Sequence, residues 1–163
     1  MRKLLALLLL IAPPPAAAFD VRGVSLGVSE AEVKRQFPSA HCKALEWASK
    51  AADRRCDDSR VGFGGIELRV TFYLRKDALE AFDARFDTKE LERFLGFLKS
   101  RYGATASESR DRIDKKGQKA REIYKALWRR QGESAALTAQ LDKRAGSLLV
   151  WRGDFDEEIY RVR

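Results

Sequence analysis

The most regular alternation of apolar and polar residues lies in residues 66–74, IELRVTFYL, where every second residue is apolar. This pattern predicts a half-buried β-strand. Residues 80–86 alternate in the same way, and the polar stretch 75–77 between the two segments favours a turn. The sequence therefore predicts an antiparallel hairpin with one buried apolar face.

The outer face of this hairpin carries four charged side chains, which are Glu67, Arg69, Asp83 and Arg85. We expect opposite charges to face each other across the two strands, where such a pair stabilises a sheet by roughly 0.2–1 kcal/mol. Structural ion pairs of this kind imitate carboxylate catalytic sites. The pattern therefore indicates stabilisation and no catalytic role.

A first helix is predicted from the spacing of Ser29 and Glu32, which is that of a capping box. This helix would bury Val33 and Phe37 and end at Pro38, because the residue before a proline disfavours helical geometry.

A second helix is predicted to begin after a cap at Asp87 or Thr88 and to end at Gly103. Its apolar residues recur at helical spacing, and they are Leu91, Phe94, Leu95, Leu98 and Tyr102. Packing of this helix on the hairpin predicts a core that includes Val70, Phe72, Phe86, Phe94 and Leu98.

Three more strands are predicted near the end of the chain, over residues 121–130, 135–141 and 147–151. Residues 21–27 are interpreted as a short strand or extended segment. Residues 104–120 are polar and lack periodicity, which predicts an exposed loop.

Two segments leave alternatives open. Residues 39–60 form either a disulfide-tied loop or a loop with one helical turn near 44–48, and residues 154–163 suit a strand or a short helix. The element order β-α-β-β-α-β-β-β predicts an α+β fold. Its single antiparallel sheet would consist of the hairpin and a C-terminal meander, with two main helices and no clear internal repeat.

Residues 1–18, MRKLLALLLLIAPPPAAA, have the three parts of a secretory signal peptide: a basic start, an apolar run and small residues before the cleavage point. The apolar run 4–12 has nine residues, too few for a membrane-spanning helix, which needs about 20. We expect cleavage after Ala18. Residues 19–163 would then be a single soluble, disulfide-closed domain, periplasmic or secreted, without a membrane span.

The chain has two cysteines, Cys42 and Cys56, fourteen positions apart. In an oxidising compartment such a pair usually forms a disulfide, and closing a loop of about 15 residues contributes roughly 3 kcal/mol. A zinc site would need two further ligands, whereas His41 is the only histidine. A redox dithiol usually has the C-x-x-C spacing. The sequence predicts a structural disulfide, no metal site and no cofactor.

The formal net charge of +8 falls to +6 without the two basic residues of the signal peptide, which still favours encounters with acidic surfaces. Basic residues are densest in segment 110–130, where Tyr124 and Trp128 accompany them, and this combination can bind polyanions. A solvated loop leading into a strand explains the same pattern. The nine basic residues are Arg110, Arg112, Lys115, Lys116, Lys119, Arg121, Lys125, Arg129 and Arg130.

Two further features have both a functional and a structural interpretation. The glycine-rich stretch 62–65 could present backbone N–H groups to an anion, but such stretches more often form a turn before a strand. The three tryptophans Trp47, Trp128 and Trp151 could line a pocket, whereas core packing is their commoner role. No nucleophile elbow or P-loop spacing is present.

Several of these segments together resemble a group of uncharacterised small exported proteins of Gram-negative bacteria: the opening GVSLGVSEAEVKRQF, the cysteine pair, the strand after GFGG and the helix FDTKELERFLGFLKSRYG. The L-G-x-x-x-x-x-V opening is also similar to BamE and β-lactamase-inhibitor-like proteins, small envelope binding modules with helices on an antiparallel sheet. This chain lacks the lipid-anchor cysteine of BamE and interposes a helix between its strand pairs. The resemblance implies no particular partner and no catalytic residue.

These observations predict a non-enzymatic envelope protein that binds a protein partner or an acidic surface. The alternative is a small periplasmic enzyme or enzyme inhibitor with a carboxylate or basic site that resembles surface ion pairs in the sequence. A deep pocket with converging acids would favour an enzyme, whereas a shallow exposed sheet face would favour binding.

Overall fold

The computed structural model describes residues 18–114 and 120–155, which contain ten β-strands and two α-helices. The strands are β1 (Asp20–Val21), β2 (Val24–Ser25), β3 (His41–Ala44), β4 (Arg54–Phe63), β5 (Ile66–Arg75), β6 (Ala78–Phe86), β7 (Ser107–Ile113), β8 (Arg121–Arg130), β9 (Glu133–Gln140) and β10 (Ala145–Arg152). The helices are α1 (Glu30–Gln36) and α2 (Leu91–Tyr102), and short 3₁₀ turns lie at Thr88–Glu90 and Leu141–Lys143.

The described strands form two sheets. β1 and β2 pair with each other, and the other eight strands form one antiparallel sheet in the order β3-β4-β5-β6-β10-β9-β8-β7. Together with the two helices, this sheet confirms the α+β class, the β5-β6 hairpin and a C-terminal meander. The described residues form ten strands where the sequence predicted six.

The order of elements repeats along the chain. α1 precedes the meander β3-β4-β5-β6, and α2 precedes the meander β7-β8-β9-β10. The two meanders join at the centre of the sheet, where β6 pairs with β10. No repeat is visible in the sequence because a meander requires only inward apolar positions, which many different residues satisfy.

Within the predicted loop 39–60, only residues 45–53 form a loop between strands; it joins β3 to β4, and the helical turn near 44–48 is not present. β3 pairs with β4, with Cys42 directly opposite Cys56, and the predicted disulfide joins them. β4 also pairs with β5, with a bulge between Asp58 and Val61. This bulge interrupts the alternation of inward residues, and charged side chains occupy much of β4, so its period is hidden in the sequence.

Residues 107–113, predicted as part of an exposed loop, form the edge strand β7. Every residue of β7 is exposed, and β8 is its neighbour in the sheet. Because neither face of β7 is buried, its sequence needs no apolar alternation, and periodicity does not reveal it. Its charged side chains suit a sheet edge, where they discourage pairing with other chains.

The helix boundaries follow the predicted caps. The Ser29 hydroxyl accepts a hydrogen bond from the Glu32 backbone N–H at 3.3 Å, and α1 ends just before Pro38. The Asp87 carboxylate accepts one from the Lys89 backbone N–H at 3.0 Å, before α2. In α2 all five predicted apolar residues are buried. Within the described residues, no helix has the length and apolarity needed to cross a membrane.

The main core lies between the helices and one face of the eight-stranded sheet. The predicted core is confirmed, since all five of its residues lie in this cluster: Val70, Phe72, Phe86, Phe94 and Leu98. The ring centres of Phe86 and Phe94 are 5.1 Å apart. Trp128 belongs to the same core, where its Nε1 donates to the Gly103 carbonyl at 2.9 Å.

Candidate functional site

The two faces of the eight-stranded sheet are covered differently. α1 and α2 pack on one face, and we call the opposite face, which neither α1 nor α2 covers, the helix-free face. Apolar residues of loop 45–53, together with Phe155, pack on the helix-free face against Tyr73 and Trp151. Trp47 lies at the edge of this smaller cluster, with the Arg55 guanidinium 5.8 Å from its ring centre. Trp128 and Trp151 are therefore packing residues, and Trp47 partly covers the second cluster.

Two adjoining open grooves lie on the helix-free face. One has a volume of about 640 Å³ and crosses β3, β4, β5 and β6. The other, of about 540 Å³, continues towards the turn before β10. Ser59, Arg69 and Arg85 line both grooves. These shared residues make the two grooves one continuous polar surface, which we call the arginine groove.

The arginine groove contains a pair of like charges that the sequence did not predict. Arg69 on β5 lies directly opposite Arg85 on β6, and Asp83 lies opposite Thr71. The expectation that opposite charges face each other across this hairpin is therefore wrong. A bulge between Tyr73 and Leu74 shifts the register by one residue and brings the two arginines together.

The two arginines differ in their partners. Arg85 donates from Nε to the Asp83 carboxylate along its own strand at 3.1 Å, and its side chain is 55% exposed. The Arg69 side chain is exposed and makes no hydrogen bond or ion pair within residues 18–114 and 120–155. Like charges directly opposite each other destabilise a sheet. The pair is therefore unfavourable for folding and has donors available for a ligand.

Carboxylates also line the arginine groove, but neighbouring groups hold them. Asp57 accepts from the Thr71 hydroxyl at 2.8 Å and pairs with Arg55 at 3.0 Å. The buried Asp58 accepts from the Ser39 hydroxyl at 2.7 Å and from a backbone N–H. Both carboxylates therefore take part in contacts that hold neighbouring segments of the chain together.

A hydrolytic arrangement is not assembled in the described part of the groove. Ser39 and His41 both line it, but the Ser39 hydroxyl donates to Asp58. The His41 imidazole is exposed and makes no hydrogen bond to Ser39 or to any other described residue. Nucleophilic catalysis needs a base within hydrogen-bond reach of the nucleophile and a third group to orient that base. The arrangement can bind an anion through its arginines, and it offers no oriented histidine base.

The predicted basic segment 110–130 does not form one surface. Lys115, Lys116 and Lys119 lie outside the described residues. Register places Arg110 and Arg112 on the same face as Tyr124, whereas Lys125 and Arg129 lie on the helix-free face, as does Arg121 at the end of β8. The described basic residues of the segment therefore point to opposite sides of the sheet.

Acids or the core already engage several cations of this segment. Arg110 pairs with Glu122, and Arg112 pairs with Asp114 at 3.2 Å. Arg130 turns inward: its guanidinium lies 4.4 Å from the centre of the Phe19 ring, and it donates to the Tyr102 carbonyl at 3.0 Å. These contacts leave a smaller free positive charge than the sequence suggested.

The disulfide lies on the helix side of β3 and β4, next to Glu30. Ligand atoms of Glu30 and both cysteines lie within 4.8 Å of one another. The two sulfurs are bonded to each other, so neither is a thiolate that could bind a metal. Hydrogen bonds from Arg54, and then from Lys34, lower the pKa of Glu30 from 4.5 to about 2. The cluster is an ion pair beside a structural disulfide.

The glycine-rich stretch forms a turn. Gly64 and Gly65 connect β4 to β5 with φ angles of +63° and +75°, which glycine adopts without steric cost. This is the structural interpretation of the 62–65 stretch.

Comparison of this chain with protein-family models, with curated proteins and with solved structures finds no match.

Proposed function

We propose that this chain is an exported, non-enzymatic binding module of the cell envelope, which contacts a protein partner through its helix-free sheet face. The observation that carries the proposal is the arginine groove, where Arg69 and Arg85 lie opposite each other with exposed donors. A small enzyme or enzyme inhibitor is the alternative. The open groove and the occupied acids favour binding over catalysis.

Three features support export. Residues 1–18 have the pattern of a secretory signal, and the Cys42–Cys56 disulfide persists in an oxidising compartment such as the periplasm. Phe19, the expected first residue after cleavage, is fully buried. Its backbone nitrogen lies 3.3 Å from a Glu133 carboxylate oxygen, which would neutralise a new terminal ammonium. The resemblance to small exported proteins of Gram-negative bacteria belongs to the same proposal.

The composition of the helix-free face supports a macromolecular partner. From Arg85 the paired positions continue through Ser147, Thr138 and Lys125 on the next three strands. Short hydroxyl side chains between long cations leave a shallow polar surface. A small molecule usually binds where a cavity buries most of its area, which an open groove does not do. Arginine is enriched in protein–protein interfaces.

A photocrosslinking amino acid placed at Thr138 in cells tests the proposed face. The control position is Ser100, an exposed residue of α2 on the other side of the molecule. We expect a discrete crosslinked product from Thr138 in the periplasmic fraction and none from Ser100. Equal crosslinking from both positions, or no product from either, would contradict the proposed function.

A further inference from the structure

We infer that Arg69 and Arg85 form a carboxylate-binding site, and that its occupant is an acidic side chain of the protein partner. The inference rests on the proposed function, because it names the chemistry by which the helix-free face would recognise that partner.

The two arginines lie close enough together to bind one ligand. Directly opposite residues in an antiparallel pair have Cβ atoms about 4.5–5.5 Å apart, so both guanidinium groups can reach one anion. Arg69 lacks a partner among the described residues, and Arg85 uses only its Nε in the bond to Asp83. The remaining N–H donors match the two oxygens of a carboxylate, which arginine binds in bidentate geometry.

A third cation adds to the same groove. The Arg60 side chain is exposed, lines the groove beside the β4 bulge and pairs with no acid in the described residues. Glu67 is also exposed in the adjoining groove and is likewise unpaired there. The uncommitted side chains of the described groove therefore include more positive than negative charge.

The acids of the groove favour a protein carboxylate over a polyphosphate or an anionic membrane. Asp57, Asp58 and Glu67 line the surface beside the arginines and would repel a ligand that carries many negative charges. A protein surface can present one carboxylate to the arginines and neutral or basic groups to these acids. Mixed charge in the groove fits such a partner.

A direct measurement uses the side-chain Nε–Hε signals of arginine in NMR spectra of the disulfide-bonded protein. The probe is N-acetylglutamate amide, and N-acetylglutamine amide is the matched neutral control. We expect the Arg69 and Arg85 signals to shift progressively with the glutamate probe and to remain unchanged with the glutamine probe. Unmoved signals, or equal shifts with both probes, would overturn the inference.

The second measurement combines the Thr138 crosslinker with the double substitution Arg69→Gln and Arg85→Gln. Loss of hydrogen bonds to a charged group should lower the yield of crosslinked product by about tenfold or more. The matched control is Arg110→Gln with Arg112→Gln, which removes the same charge from β7. Thermal unfolding checks that the groove variant is folded: the substitution removes a like-charge pair, but it also removes the Arg85–Asp83 ion pair, so a cooperative unfolding transition is the criterion.

The outcomes separate the two proposals. Loss of the crosslink in the groove variant alone supports the carboxylate site. A crosslink that persists in the groove variant, or is lost equally in both variants, overturns the site and leaves the binding face in place. Binding of vesicles of phosphatidylglycerol that depends on Arg69 and Arg85 would also overturn it, in favour of a lipid surface. Absence of any crosslink in the parent contradicts the proposed function, and the NMR titration then decides the site independently.

Discussion

At the scale of single residues, the charged side chains of this protein differ in whether local spacing supplies their partner. Glu30 has Lys34 one helical turn away at 2.8 Å, and it also meets Arg54 from β4. Arg69 meets another arginine because of the sheet register. Arginine is therefore structural at position 54, where it pairs with Glu30, and available for a ligand at position 69.

Replacing Glu30 by Gln tests the first of these roles. At neutral pH the substitution should cost about 1 kcal/mol, because two ion pairs are lost at a partly exposed site. The folded state lowers the Glu30 pKa from 4.5 to about 2, so its contribution is complete above the unfolded pKa and disappears as the pH falls through that interval. Urea unfolding of the parent and the variant should show the difference in free energy of unfolding at neutral pH. This difference should largely disappear when the pH is lowered to the folded-state pKa of Glu30. A difference that is independent of pH would contradict this assignment.

Phe94 tests the buried face of α2. Its side chain is fully buried in the main core, so Phe94→Ala should reduce the free energy of unfolding by roughly 3–5 kcal/mol. The neighbouring Arg93 is 67% exposed, and Arg93→Ala should change stability by only about 0.5 kcal/mol. Chemical denaturation of the two variants gives the comparison. Similar small effects at both positions would mean that the helix face is assigned wrongly.

At the scale of elements, the contact between β6 and β10 depends on a glycine, which has no side chain. Gly146 lies opposite Phe86, and a Cβ added at Gly146 would lie 2.4 Å from the Phe86 Cζ atom. The Phe86 ring therefore occupies the space that another residue would use. This close approach joins the two meanders at the edge of the main core.

Gly146→Ala should destabilise the protein by about 1–3 kcal/mol, because the buried ring must move. A smaller side chain at the partner position relieves the overlap, so Phe86→Leu should cost less in the Gly146→Ala background than in the parent. Urea unfolding of the two single variants and the double variant measures this coupling. Strictly additive effects would contradict a direct contact.

The edge strand β3 is held by the disulfide as well as by pairing with β4. Replacing Cys42 and Cys56 together by Ala should lower stability by roughly 2–4 kcal/mol. Amide exchange should accelerate most in β3, since this short strand has a single neighbour in the described sheet. Parent protein treated with reductant is the control and should show the same change. Unaltered stability would contradict a structural role for the bond.

At the scale of the whole molecule, the beginning of the described chain closes one end of the core. The Phe19 ring is fully buried, 4.8 Å from the Tyr102 ring centre, and Arg101 pairs with Asp20 at 2.6 Å. These contacts connect the first residues after the expected cleavage site to α2. Cleavage after Ala18 would create a positively charged terminal ammonium beside Glu133, so removal of the signal peptide would add an ion pair to the folded domain.

We expect N-terminal sequencing of the protein from its native compartment to begin at Phe19. In that form Glu133→Gln should cost up to about 1 kcal/mol, because the terminal ammonium loses its partner. The cost should be smaller when residues 1–18 are retained, since the Phe19 nitrogen is then an uncharged peptide N–H. Retention of residues 1–18 in the native protein would contradict the export proposal.

The sequence alone determined the elements whose cause is local. The cap at Ser29 begins α1, and the cap at Asp87 begins the 3₁₀ turn that leads into α2. Alternation in 66–74 identifies β5, and a lone cysteine pair predicts the disulfide. In each case neighbouring positions contain the physical reason: a cap bonds within its own first turn, and alternate residues of a strand point to opposite faces.

Tertiary structure decided the features that depend on distant pairing. β7 has no buried face, so only its hydrogen bonds to β8 make it a strand. The bulge between Tyr73 and Leu74 sets the register that brings Arg69 to Arg85 and so forms the candidate site. Arg69 would lie opposite Asp83 only if the register differed by two residues. Such a change keeps the same apolar residues on the buried face, because the side-chain period of a strand is two, so the alternation predicts the hairpin without fixing its charge pairs.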